Sequence, residues 1–144
     1  MNKAKKILNI YQTMLNALGP QQWWPGETPF EIVIGAILTQ NTNWSNVEKA
    51  IRNLKTAGRL SPAGIHELST TELAQLIRPS GFFNVKAKRV KTFINWLFSS
   101  YAGNLSRMFS QDLQTLRDEL LSVKGIGPET ADSILLYAGN LPTF

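Results

Sequence analysis

The sequence predicts an all-α protein, and three observations predict it. Apolar residues recur at three- and four-residue spacing in segment after segment, and no segment alternates convincingly as a strand would. Helix-start signals recur too: a Ser or Thr three residues ahead of a Glu, or a Pro at the first helical position. Gly and Pro punctuate the gaps at short intervals. Together these mark out roughly eight helices with short connections.

Ile7, Leu8, Tyr11, Met14, Leu15 and Leu18 share one helical face, and Gly19-Pro20 ends that helix. After an aromatic link, QQWWPGE, the run Thr28-Pro29-Phe30-Glu31 reads as a capping box that opens the next helix. Its IVIGAIL is apolar on every side, which suits a helix through the middle of a domain. TQNTNW breaks that pattern; Val47, Ala50, Ile51 and Leu54 then form a helix that closes at Ala57-Gly58. Ser61-Pro62 opens a short helix, and Ser69 with Glu72 makes a second capping box. Pro79-Ser80-Gly81 stops that helix. Asn84 is the expected cap of a long helix carrying Ala87, Val90, Ile94, Leu97, Phe98 and Tyr101, which ends at Gly103-Asn104. A last pair of helices flanks Gly125-Ile126-Gly127.

With 144 residues the chain can bury a real core. Its 43% hydrophobic and 17% charged residues are a globular composition. Fifteen Lys and Arg against ten Asp and Glu give a charge of +5, which leans toward a polyanionic partner, nucleic acid first. The absence of cysteine excludes disulfides, thiol catalysis and cysteine-ligated clusters within these residues. The lone His66 has no ligand companion nearby, so it reads as a solvated helix residue, and no metal site is expected. No apolar run is long enough to cross a membrane, and the basic N-terminus lacks a signal peptide's apolar centre. A soluble, cytoplasmic protein is the expectation.

The glycine corner carries the functional reading. Helix, Gly-x-Gly and helix leave unpaired backbone N–H groups at the start of the second helix, where a phosphate can approach closely. Such a grip holds DNA without reading bases. On spacing alone a packing corner serves equally well.

The surrounding segment LLSVKGIGPETADSILLYAGNLPTF resembles the helix-hairpin-helix of the endonuclease III-like DNA glycosylases, the HhH-GPD superfamily. FEIVIGAILTQNTNW and GFFNVKAKRV resemble two further segments of that family in order and spacing, so the likeness covers residues 23–144. WWP, ILTQNT, RPSGF and GIG-x-E-x-AD point more narrowly to the bacterial 3-methyladenine DNA glycosylase III branch. The resemblance implies the superfamily's all-α fold in incomplete form. Residues 1–19 would be a helix of a second, flanking domain whose C-terminal helices are missing, and 20–144 the domain carrying the hairpin at about 113–139.

The same resemblance assigns the site. Val123, Lys124, Gly125, Ile126 and Gly127 would form the phosphate-binding hairpin; a bulky β-branched residue at Gly127 is expected to block phosphate approach and strain the turn. Trp23, Trp24, Pro25 and Trp44 would line the base pocket, where indole faces suit a cationic purine; packing the core is the competing role. Gln40 would plug the gap left by the flipped base. Phe82 would be the opposite wedge or an ordinary core aromatic. Lys86, Lys88, Arg89 and Lys91 read mostly as a solvated face with one or two phosphate contacts. Glu129 stands where the strand-cleaving members carry a Schiff-base lysine, so lyase activity is not expected; a first-turn acid also complements the helix dipole.

No catalytic residue is expected within the chain, because the family's essential Asp would come just beyond Phe144, and Asp132 is not at its position. The 144-residue form would then be inactive, a fragment of a monofunctional glycosylase that removes alkylated purines such as 3-methyladenine. The alternative is a non-catalytic helix-hairpin-helix protein that binds damaged or bent DNA. Double-stranded DNA with a damaged base is the expected partner, in a bacterial, nucleoid-associated setting. Self-association through apolar surface on Leu8, Met14 or Leu15 is expected as well. No cofactor is expected within these residues; an iron–sulfur cluster would belong to the absent C-terminal part.

Overall fold

The computed structural model describes residues 2–143. Among them the chain forms nine α-helices, one 3₁₀ turn and one π turn, with no strand. The helices are α1 Lys3–Leu18, α2 Pro29–Leu38, α3 Trp44–Thr56, α4 Pro62–Glu67, α5 Thr70–Leu76, α6 Phe83–Tyr101, α7 Leu105–Phe109, α8 Leu113–Ser122 and α9 Pro128–Ser133.

The apolar helix α2 runs through the centre, packed against α3, α6, α9 and the π turn Ile134–Ala138. Val33, Ile34, Ile37 and Leu38 are fully buried there, each contributing about 1.5–3 kcal/mol relative to exposure. Gly35 is part of this packing: a Cβ would meet Trp44 Cη2 at 3.3 Å and Trp24 Nε1 at 3.6 Å. Its bare backbone therefore lets two indoles close on α2. Helix α1 is different, since none of its side chains is buried. Ile7, Leu8, Ile10, Tyr11, Met14 and Leu18 are all exposed.

Most helix starts are where the capping signals put them. Ser69 accepts from Glu72 N–H and the Glu72 carboxylate accepts from Ser69 N–H at 2.8 Å, a reciprocal box. Thr28 is only half of one. Its hydroxyl accepts from Glu31 N–H at 3.1 Å, but Glu31 reaches past it to Glu27 N–H at 3.2 Å and pairs with Lys55 at 3.0 Å. Asn84 is not the cap of α6. That helix begins at Phe83, and the residue at its N-cap is Phe82, left-handed at φ 45° and ψ 37°. The positive φ of 70° at Gly81 throws the chain into this turn two residues early.

The basic run of α6 is not a solvated face. Lys86 is 1% exposed and donates its ammonium to the Ser80 carbonyl at 2.6 Å. Burial, with the Arg89 charge second, pulls its pKa below the usual lysine range. Lys91 donates to the carbonyls of Ile65, His66 and Leu68 at 3.3, 2.8 and 2.7 Å. These carbonyls lie at the end of α4, where a helix leaves orphan acceptors. The two lysines thus act as tethers, and of the four cations only Lys88 is exposed. Lys91→Met should therefore destabilise the fold by about 2 kcal/mol, since three carbonyls lose a charged donor. Urea unfolding of the variant checks this, and an unchanged midpoint would show that water replaces the ammonium.

Candidate nucleic-acid interface and base pocket

Helices α2 and α9 and the loops beside them enclose one open cleft of about 1180 Å³. One wall is aromatic. Trp24 stands edge-on to Trp44, with ring centroids 5.7 Å apart, and stacks on Tyr137 at 5.2 Å. Each ring has a traceable cause. Trp24 is carried by the turn before α2, Trp44 is the first residue of α3 behind its Asn43 cap, and Tyr137 sits in the π turn. Wider i→i+5 turns of this kind re-aim side chains inside helices. Trp44 Nε1 donates to Glu48 at 3.2 Å, whereas Trp24 Nε1 is buried without an acceptor. Trp23 is 72% exposed at the rim.

The opposite wall is the hairpin. Gly125 has φ +96°, a conformation L-residues rarely adopt, and a Cβ there would lie 2.6 Å from Arg89 Cγ. Gly127 corrects the expectation that a bulky residue there would strain the turn. Its φ of −90° and ψ of 178° are ordinary extended backbone, and nothing lies within 4 Å of its Cβ position. Gly127 is open rather than strained. The N–H groups of Gly125 and Gly127 donate to no acceptor among the described residues. No side chain caps α9 either, so this backbone faces outward with donors to spare. Val123 and Ile126, by contrast, are buried anchors of the hairpin.

Arg117 clamps α8 to α9 through two bonds to Asp132, Nε to Oδ1 at 2.8 Å and Nη2 to Oδ2 at 3.1 Å. Asp132 is therefore a structural partner. The guanidinium holds its carboxyl below the usual carboxylate range, against partial burial.

The cleft gathers Trp23, Trp24, Pro25, Gln40, Trp44, Gly125, Ile126, Gly127 and Glu129. Glu129 is the one carboxylate on this lining, and no lysine lines it. Phe82, Val123 and Lys124 lie outside the lining. Phe82 is not a core aromatic, because it is 69% exposed. A bulky side chain held both exposed and left-handed carries a cost of about 1–3 kcal/mol. Sequence reasoning passed over Arg89 as one of a basic run, and Thr130, Ser133 and Tyr137 entirely. The spacing of those last three, which suits one side of a helix, was the available signal.

The family described as HhH-GPD superfamily base excision DNA repair protein matches residues 34–117, and the helix-hairpin-helix motif matches 109–137. This chain belongs to the HhH-GPD superfamily of base excision DNA repair proteins. A protein of Methanocaldococcus jannaschii, whose name carries a provisional assignment as a DNA repair glycosylase, is 50% identical over 145 residues. That alignment covers 99% of this chain and 66% of the relative. Endonuclease III of Thermotoga maritima is 31% identical over 111 residues, 77% of this chain and 47% of that protein. The structure of Helicobacter pylori 3-methyladenine DNA glycosylase bound to 1,N6-ethenoadenine is similar at a TM-score of 0.79 and 34% identity. It matches 94% of this chain and 64% of its own. The chain thus spans about two thirds or less of these relatives' lengths.

The two glycines should separate on substitution. Gly125→Ala should cost about 2 kcal/mol or more, from left-handed strain and the clash with Arg89. Gly127→Ala should stay within about 0.5 kcal/mol of the parent. Thermal unfolding of both variants distinguishes this from a turn that needs neither or both.

Asp132 has a pH signature. A carboxyl with a depressed folded-state pKa adds stability that is present above its unfolded value, near 3.8, and lost as pH falls through the folded one. Asp132→Asn should cost about 1 kcal/mol at neutral pH and flatten the loss of stability below about pH 4. An acid limb identical to the parent's would assign that titration to other groups.

Proposed function

We propose that the chain is the DNA-gripping and base-binding part of a monofunctional DNA glycosylase that excises alkylated purines such as 3-methyladenine. The observation that carries this is the lining of the cleft. An edge-to-face pair of indoles meets a hairpin with unpaired N–H donors, and the cleft holds Glu129 but no lysine. An imine route needs a primary amine within reach of the sugar; hydrolysis does not. Flat cationic bases gain from indole faces beyond their ordinary stacking. The likeness to the Helicobacter pylori enzyme supports the same lesion class.

In this reading the hairpin holds a phosphate through backbone donors around Gly125 and Gly127, with Lys124 adding charge. DNA affinity should then be weak, nearly sequence-blind and salt-sensitive. Gln40 and Phe82 fill the two sides of the gap when the base leaves the stack, which offsets the cost of unstacking. Residues 3–18 belong to a second structural unit, consistent with α1 having no buried side chain. The apolar face of α1 is then available for self-association.

Borohydride trapping on the natural polypeptide that carries these residues tests the chemistry. Release of 3-methyladenine from duplex DNA, an intact abasic strand and no covalent adduct are expected. A trapped adduct would reveal an amine nucleophile and end the monofunctional assignment. The N-terminal division has its own check. Leu8→Glu should leave the unfolding midpoint of the chain unchanged while shifting sedimentation toward monomer. A large loss of stability would place α1 in the core unit.

A further inference from the structure

Gln40 is held from two sides by parts of the chain far away in sequence. Arg89, reaching from α6, donates Nη1–H to Gln40 Oε1 at 2.7 Å. Gln40 donates Nε2–H to Thr130 Oγ1, on α9, at 2.9 Å. Chemistry makes the arrangement one-way. A guanidinium has donors and no acceptor, so only the oxygen of the amide can face Arg89, and the NH₂ must face Thr130. One oxygen lone pair and one N–H of the amide remain unused. The path of Arg89 to this point runs over Gly125, where a Cβ would sit 2.6 Å from Cγ. Among the described residues no carboxylate pairs with Arg89. Its visible partner is the Gln40 amide.

We propose that Arg89 is a positioning residue: with Thr130 it sets the Gln40 side chain in the one orientation from which it enters the gap left by an extruded base, and Gly125 lacks a side chain so that Arg89 can reach it. This deepens the base-excision reading above and rests on it. The free amide then loses its rotamer freedom before DNA arrives rather than on binding. Its remaining acceptor and donor face the orphaned base together, so any of the four bases can satisfy one of them. The hairpin that takes the phosphate and the residue that fills the stack become one mechanical unit, linked through Arg89.

The test compares two duplexes of identical sequence, one carrying a tetrahydrofuran abasic site, by fluorescence anisotropy at fixed salt with the 144-residue chain. The readout is the ratio of the two dissociation constants. The parent should prefer the abasic duplex. Arg89→Ala should reduce that preference about tenfold, Gln40→Ala should do the same, and the double variant should fall no further, because the residues act as a unit. Arg89→Lys keeps the charge and most of the stem; it should hold the intact duplex normally while losing the preference, and it serves where the alanine variant fails to fold. Equal weakening of both duplexes by Arg89→Ala would make Arg89 a phosphate contact only and overturn the proposal. So would losses that multiply in the double variant. A parent ratio of one would overturn the base-excision reading along with it, whereas a clear parent preference with multiplying losses sinks this inference alone.

Discussion

A helix buried on every side has no polar face to orient it, so its neighbours are dictated by what can pack against its apolar surface. Helix α2 sets that condition for the whole domain. At Gly35, where a Cβ would meet Trp44 at 3.3 Å and Trp24 at 3.6 Å, it leaves room for both indoles. Its C-terminal end delivers Gln40 beside Thr130, and its flanks receive α6 and α9. The aromatic wall, the hairpin and the amide between them are therefore placed by one element. A side chain at Gly35 would press on the aromatic wall directly, through Trp44 and Trp24.

The helices could be read from the sequence because their determinants are local. Apolar spacing and the signals at Ser69, Ser61 and Thr28 need no knowledge of the tertiary fold, and each marks a real helix start. The misreadings come from residues whose role depends on distant partners. Lys86 and Lys91 look like solvent-facing cations until α6 is packed against the carbonyls of Ser80 and of the end of α4. Asn84 has the chemistry of a cap, yet the turn at Gly81 and Phe82 starts the helix before it.

The hairpin shows the same limit within five residues. Gly-Ile-Gly reads symmetrically in one dimension, but only Gly125 has a positive φ, and only Gly125 has a side chain passing over it. Nothing in the spelling of the motif distinguishes the two. Trp24, Trp44 and Glu129 were recognisable as candidates because their residue types carry the chemistry. Arg89 was not, since its importance lies in reaching Gln40 across 49 positions of sequence. Tyr137, the ring that stacks on Trp24, depends on a π turn that local propensity does not announce.

In the proposed reading the indoles of this cleft receive a flat, positively charged base. Tryptophan fluorescence during titration with an N-methylated purine cation, and separately with adenine, tests it most directly. Saturable quenching by the cation, at least about tenfold tighter than by adenine and lost in Trp44→Ala, is the expected result. Equal responses to both bases, unchanged by removing Trp44, would contradict it.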